Sequence, residues 1–347
     1  VRNVAAFQSP HPQDPGVLAR NAPGQEMNPG KAKNKNEMKM TPCARSRHRH
    51  PPAPPGIPLI AWVITTWVVI AWIITASAII AVPGLAQALS VDVHAHRGGA
   101  AMAPENTLAA VRNALALGVD VIELDLHVSR DGAVVVIHDA TLERTTTGRG
   151  FVRETALADL RRLDAGTWFH ARFAGERVPT LREVLEVVKG HGNDRVRLNL
   201  ETKYDARGPG PPSNFEELVL EQLRAAGMLG RTIIQSFHYP SIVRVKALDS
   251  SLTTAALRSP LNPPLDPVAD VRAAHADVYS PGFRLVTREA LEALHRAGVP
   301  VVPWTVNEPA DMERLLALGI GALRGDGIIT DHPDRLIQVL RARGLRR

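Results

Sequence analysis

From position 91 onward, short runs of β-branched residues alternate with stretches whose apolar positions recur at helical spacing. The runs that read as strands are 91–96, 121–128, 134–138, 195–203, 232–237, 253–257, 278–280, 301–306 and 327–330. Helical patterns lie between most of them, at 107–117, 181–189, 215–226, 288–297, 310–318 and 333–343. Such alternation predicts a parallel sheet flanked by helices. The length, about 250 residues, suits a (β/α)8 TIM barrel. Nine strand candidates compete for eight places. Only five residues, 129–133, separate the second from the third, too few for a parallel crossover. That pair is predicted to form a hairpin with Asp131-Gly132 at its tip, which sets Asp125 opposite His138. Two Pro/Gly-rich stretches, 207–214 and 259–267, follow strands and are expected on the catalytic face.

The first ninety residues read differently. Positions 1–56 are rich in Pro, Asn, Lys and Arg without periodicity, the pattern of a disordered tail. Positions 57–82 are almost wholly apolar. As a helix they would span roughly 39 Å, more than the ~30 Å hydrocarbon core. Arg45, Arg47 and Arg49 precede this run, and Ala86-Gln87-Ala88 after it forms an A-x-A pattern. Segment 57–88 is therefore expected to be a signal peptide or a transmembrane anchor. Residues 91–347 would then be exported to the periplasm or its equivalent, touching membrane only through 57–82 if uncleaved. Met38 and Met40 lie near the apolar run, so part of the tail is expected to lie upstream of the translation start.

Charge separates the same two regions. Of the net +6, all comes from residues 1–50, which hold nine Lys/Arg against three acids; 91–347 is neutral. A neutral body lacks the basic face that nucleic-acid binding needs. The single cysteine, Cys43, excludes an internal disulfide and a cysteine-based zinc site.

Polar residues collect within the strands and at their ends, where a purely structural barrel would carry Val and Leu. By period-two alternation, Glu123, Asp125 and His127 share one strand face, and Asn199, Glu201 and Lys203 share another. In a barrel those faces point inward, and buried acids need partners. Two carboxylates about 4 Å apart repel by about 4 kcal/mol at an effective dielectric of 20. Converging Glu123, Asp125 and Glu201 therefore call for a hard divalent cation, Ca²⁺ or Mg²⁺. The alternative is buried ion pairing with Arg97 and Lys203. Those two cations also suit a phosphate group. His96 and His138 suit acid–base chemistry near neutral pH.

These residues resemble the glycerophosphodiester phosphodiesterase family. The matches are His96-Arg97-Gly98, Pro104-Glu105-Asn106-Thr107, Glu123-x-Asp125, Asp131-Gly132, His138-Asp139 and Asn199-x-Glu201-x-Lys203, in the family's order and spacing. Gln235-Ser-Phe237, Trp304-Thr-Val-Asn307 and Gly327-Ile-Ile-Thr-Asp331 follow. The resemblance covers residues 93–340. It implies a TIM barrel of the phospholipase-C-like type that splits glycerophosphodiesters into glycerol 3-phosphate and an alcohol. It further implies one divalent metal on Glu123, Asp125 and Glu201, acid–base roles for His96 and His138, and phosphate contacts from Arg97 and Lys203. Phe237 and Trp304 match aromatics expected near the bound glycerol or alcohol, and Glu105 matches a family position that lies near substrate, orients a neighbour or starts the helix at Thr107. Two features depart from the family pattern: His94 stands where an apolar residue is usual, and the link 320–325 is long.

Two rival enzymes remain at this stage. His94-Ala-His96 also resembles the zinc amidohydrolases, which place two first-strand histidines on the metal. A lysophospholipase D on the same scaffold would use the same catalytic residues.

Overall fold

The computed structural model describes residues 90–204, 208–263 and 266–346. The expected tail at 1–56 and the apolar segment 57–88 lie outside the described residues. Among the described residues no helix is long and apolar enough to cross a membrane.

The strands in chain order are β1 (Asp92–Ala95), β2 (Val121–Val128), β3 (Val134–Val136), β4 (Arg197–Thr202), β5 (Thr232–Ser236), β6 (Thr253–Arg258), β7 (Val278–Pro281) and β8 (Gly327–Thr330). All but β3 form one curled parallel sheet in the order β7-β6-β5-β4-β2-β1-β8. The ninth candidate, 301–306, runs between the two edges. Val302 and Trp304 donate backbone N–H bonds to β7, while Gly327 and Ile329 of β8 donate to Val301 and Pro303. Proline has no N–H to give a ladder. Pro300 and Pro303 therefore limit this segment to isolated bridges instead of a regular strand.

The hairpin forms as expected, but one residue out of the expected register. Val128 pairs with Val134 and Leu126 with Val136, and the Ile137 N–H bonds the Asp125 carbonyl. The turn is closed by Ser129 N–H on the Ala133 carbonyl, so its centre falls on Asp131 and not between Asp131 and Gly132. Asp125 faces Ile137, and His138 follows one position later.

Helices α1 (Leu108–Leu117), α2 (Leu157–Leu160), α3 (Leu181–Gly190), α4 (Phe215–Ala226), α5 (Tyr239–Leu248), α6 (Pro267–Ala273), α7 (Arg288–Arg296), α8 (Pro309–Leu318) and α9 (Pro333–Ala342) complete the described fold. Their starts are written locally. Thr180 and Glu183 make a reciprocal capping box at α3, and the Thr107 hydroxyl accepts the Ala110 N–H at α1. The apolar stripe of α3 (Leu181, Val184, Leu185, Val188) joins Leu124, Leu198 and Leu200 in the main core. Each such side chain contributes about 1.5–3 kcal/mol by burial.

Inside the curl the sheet is two-sided. Ile233, Ala255, Val278, Val302 and Ile329 make a small apolar cluster with Trp304 packed on it. Across from it, β1, β2 and β4 bury His94, Glu123, Asp125, Asn199 and Glu201.

The long link before β8 is held by one side chain. The buried Asp326 carboxylate accepts the N–H groups of Gly321 (2.8 Å), Leu323 (3.2 Å) and Val301 (2.8 Å). It also meets His295 Nε2.

Candidate active site

The His96-Arg97-Gly98 turn closes β1 and is shaped by its neighbours. Gly98 sits at φ 83°, and a Cβ there would come within 2.7 Å of the Ala110 Cβ. Only glycine lets α1 pack so close. Arg97 itself lies at φ 52°, a region costly for a side-chain-bearing residue. In that conformation its backbone N–H reaches Glu123 Oε2 at 2.8 Å.

Glu123, Asp125 and Glu201 are all buried, and each presents an oxygen within 4.8 Å of the others. The strand register produces this directly, because β2 and β4 pair Asp125 with Glu201. Gln235 donates to Glu123 Oε1 at 2.9 Å and is itself fixed by Asn199 at 2.8 Å. Lys203 Nζ lies 2.9 Å from Glu201 and 3.6 Å from Asp125, and Arg97 Nε lies 3.5 Å from Asp125.

The ion pairing considered as an alternative is thus present, yet it does not balance the cluster. Burial, reinforced by the neighbouring Asp125 charge, pushes Glu123 up to about 8. Burial likewise pushes Glu201 up to about 7 despite Lys203. Asp125 stays below the usual carboxylate range, because Lys203, His138 and Arg97 outweigh its burial. Burial disfavours the Lys203 ammonium, but Glu201 and Asp125 hold it above its ordinary value. Three hard oxygen donors, two of them held toward neutrality for want of positive charge, fit a divalent cation.

Both predicted acid–base histidines are oriented by carboxylates. His96 Nδ1 donates to Asp331 Oδ1 at 2.5 Å, and Asn307 donates to the other Asp331 oxygen at 2.7 Å. His138 Nδ1 donates to Asp139 Oδ1 at 2.6 Å. In each ring Nε2 is left for chemistry. Their environments diverge. Burial opposes the charged form of His96, but the Asp331 bond and the Glu123 charge raise it above its ordinary value. Burial, with Lys203 and Arg97 nearby, lowers His138.

Two cavities share His138, Glu201, Lys203 and Phe237. The smaller one, about 80 Å³, adds His96, Arg97, Gln235 and Trp304. The larger one, about 200 Å³, adds His127, Asp139, Tyr204 and His238. Phe237 and Trp304 meet edge to face at 5.4 Å, and both line the cavity that holds His96 and Arg97. Glu105 does not: it lines neither cavity and pairs with Arg97 at 2.7 Å and with Arg144 at 2.8 Å. That is the place of a residue that orients its neighbour, one of the roles the sequence left open to it. His127 shares the strand face of the acids, yet its Nε2 is tied to the His138 carbonyl at 3.1 Å.

His94 does not support a zinc centre. Both its ring nitrogens are buried without a partner, and among the described residues the acid cluster is the group that could hold a metal. Sequence reasoning left out the orienting residues Asn106, Asp139, Gln235, Asn307 and Asp331. Each stood inside a motif that carried the family resemblance, which was the available signal. Arg144 stood in none of those motifs.

Comparisons with known proteins agree. Residues 96–335 match the Glycerophosphoryl diester phosphodiesterase family. A glycerophosphodiester phosphodiesterase of Caldanaerobacter subterraneus subsp. tengcongensis is 39% identical over 256 residues, covering 73% of this chain and 98% of that protein. An Oleispira antarctica phosphodiesterase, solved with the product sn-glycerol-3-phosphate, superimposes with a TM-score of 0.64 at 29% identity, over 74% of this chain and 99% of that one. The glycerophosphodiester phosphodiesterase of Agrobacterium tumefaciens C58 gives 0.60 at 29% identity, over 71% and 98%. Matched by the family model over most of its length and 39% identical to a member that it covers almost completely, the chain belongs to the glycerophosphoryl diester phosphodiesterase family.

Proposed function

We propose that the protein hydrolyses glycerophosphodiesters to glycerol 3-phosphate and an alcohol, with a divalent cation at Glu123, Asp125 and Glu201. The observation that carries this reading is the meeting of those three acids with Arg97, Lys203 and two oppositely tuned imidazoles around one cavity. When bound, the cation, Ca²⁺ or Mg²⁺ by the hardness of its oxygen donors, supplies positive charge beside the phosphate. Arg97 and Lys203 grip the non-bridging oxygens and offset the charge that develops on them. His138, held neutral, takes the proton of the nucleophile, which is water, or the substrate's own glycerol hydroxyl, giving a cyclic phosphate that water then opens to glycerol 3-phosphate. His96, held protonated by Asp331, gives a proton to the departing alkoxide. The glycerol arm is placed in the smaller cavity against Phe237 and Trp304, and the alcohol in the larger one beside it.

The test is an assay of the purified protein on glycerophosphocholine after EDTA treatment, with and without Mg²⁺ or Ca²⁺, following glycerol 3-phosphate. Metal-dependent release supports the proposal. Cleavage of lysophospholipids alone would instead make the protein a lysophospholipase D.

We also propose that catalysis takes place outside the cytoplasm. Support comes from the apolar run 57–82, the arginines before it and the A-x-A pattern at Ala86 and Ala88. N-terminal sequencing of the fractionated protein tests it: a mature chain starting at Leu89 means a cleaved signal. Recovery wholly in the cytoplasmic fraction refutes export.

A further inference from the structure

Arg144 lines neither cavity of the site, yet its guanidinium lies between two carboxylates that each hold a residue of the proposed machinery. Nε and Nη2 donate to Asp139 at 2.6 and 3.0 Å. Nη1 and Nη2 donate to Glu105 at 2.9 and 2.8 Å. Beyond Asp139 stands His138, with Nδ1 on Asp139 Oδ1 at 2.6 Å. Beyond Glu105 stands Arg97, with Nη1 on Glu105 Oε1 at 2.7 Å. A single planar fork therefore joins the imidazole on one side of the site to the phosphate-binding guanidinium on the other.

We propose that Arg144 is a positioning residue that fixes His138 and Arg97 relative to one another. The inference rests on the hydrolase reading of the site. Four N–H groups in one plane meet two carboxylates along both edges, a geometry that lysine, a single point of charge, does not reproduce. Neither carboxylate is set by its own backbone contacts. Without the guanidinium, Asp139 can turn about its side-chain bonds and carry the His138 ring with it. Glu105 can likewise release Arg97. The segment that supplies Arg144 packs on its own small core of Val135, Ile137, Leu142, Val152 and Leu160. The clamp is thus carried by the excursion between β3 and α3, while the metal acids sit on β2 and β4.

Displacing a reacting group by about 1 Å can cost about 100-fold in rate. Arg144→Ala is therefore expected to lower kcat about 100-fold and to raise KM several-fold through the loosened Arg97. Arg144→Lys should recover only a minor part. The Arg144 side chain is 43% exposed, so free guanidinium can reach the gap and should restore activity to Arg144→Ala in a saturable way. Independently of turnover, the His138 Nδ1–H proton resonance should broaden in Arg144→Ala and sharpen again with guanidinium. Adding Asp139→Asn to Arg144→Ala should cost little more than the worse single change, since both break one chain.

A kcat within twofold of wild type in folded Arg144→Ala overturns the proposal. So do unchanged His138 resonances, a loss that guanidinium does not relieve, or strictly additive effects of the two substitutions. Should Arg144→Ala not fold, Arg144→Lys and Asp139→Asn carry the same measurements. If the wild-type protein shows no hydrolysis at all, the functional reading has failed, and the resonance experiment still decides whether Arg144 orders His138.

Discussion

Asn106 and Asp125 hold each other by two hydrogen bonds: the Asn106 amide donates to Asp125 Oδ2 at 2.8 Å, and the Asp125 N–H donates to Asn106 Oδ1 at 3.1 Å. Asn106 does this from φ 59°, a conformation that Asn tolerates better than most residues. One carboxylate oxygen of the acid cluster is thereby aimed from outside the strand that bears it. Asn106→Ala is expected to weaken divalent-cation affinity about 10–100-fold, as loss of a group behind a metal ligand typically does. Calorimetric titration with Ca²⁺ and Mg²⁺ checks it. Unchanged affinity would mean that β2 alone orients Asp125.

The two imidazoles predict a bell-shaped pH profile. His138 must be neutral to accept a proton, and its folded value lies below 6.5. Activity should fall as pH drops through that lowered value. His96 must be protonated to donate, and its folded value lies above 6.5. Activity should fall again as pH rises through it. Asp331→Asn removes the bond that holds His96 up, so the alkaline limb should move to lower pH while the acid limb stays. Movement of the acid limb instead would reverse the two roles.

His94 carries a separate prediction about stability. Its ring is buried with both nitrogens unpartnered, and burial, with the Arg197 charge nearby, lowers it to about 3. Unfolded, it titrates near 6.5. Folding therefore excludes a proton that the unfolded chain binds, and stability is lost as pH falls from about 6.5 to about 3. The slope is at most about 1.4 kcal/mol per pH unit. His94→Leu should flatten this acid-side slope and raise stability at neutral pH by about 1–3 kcal/mol, the cost of leaving a buried polar group unpaired. Urea denaturation at several pH values measures both, and a variant with the wild-type slope would refute the assignment.

Asp326 offers a further test of the fold. Its side chain satisfies three backbone N–H groups in and beside the long link before β8. Asp326→Ala leaves them without an acceptor, at roughly 1–3 kcal/mol each if they stay dry. A melting temperature lowered by several degrees is expected. A loss smaller than one degree would show that the link is held by packing.

The acid cluster was legible because strand alternation is local. Glu123, Asp125 and Glu201 declare their shared inward faces within a few residues, and β2–β4 pairing brings them together. The hairpin register was missed by one, because symmetry about Asp131-Gly132 ignores the Ser129–Ala133 hydrogen bond that sets the turn. The strand at 301–306 was legible as a position but not as a ladder, since apolar alternation does not subtract the missing proline donors. The orienting shell was harder. Asp331 meets His96 across 235 positions and Arg144 meets Glu105 across 39. No pattern within a single element encodes such pairs; the fold creates them.

The division of the inner sheet surface has a consequence for divergence among relatives. The buried acids Glu123, Asp125 and Glu201 stand on β2 and β4, whereas the apolar cluster under Trp304 comes from β5 to β8 and the segment between β7 and β8. Substitutions at Ile233, Ala255, Val278 or Val302 can shift Ile329 and Trp304, which line the pocket, without touching an ionisable group. Under the proposed function, the packing beneath Trp304 is free to drift toward new alcohols while the acids stay in place, so substrate range and catalytic competence can evolve as separate traits.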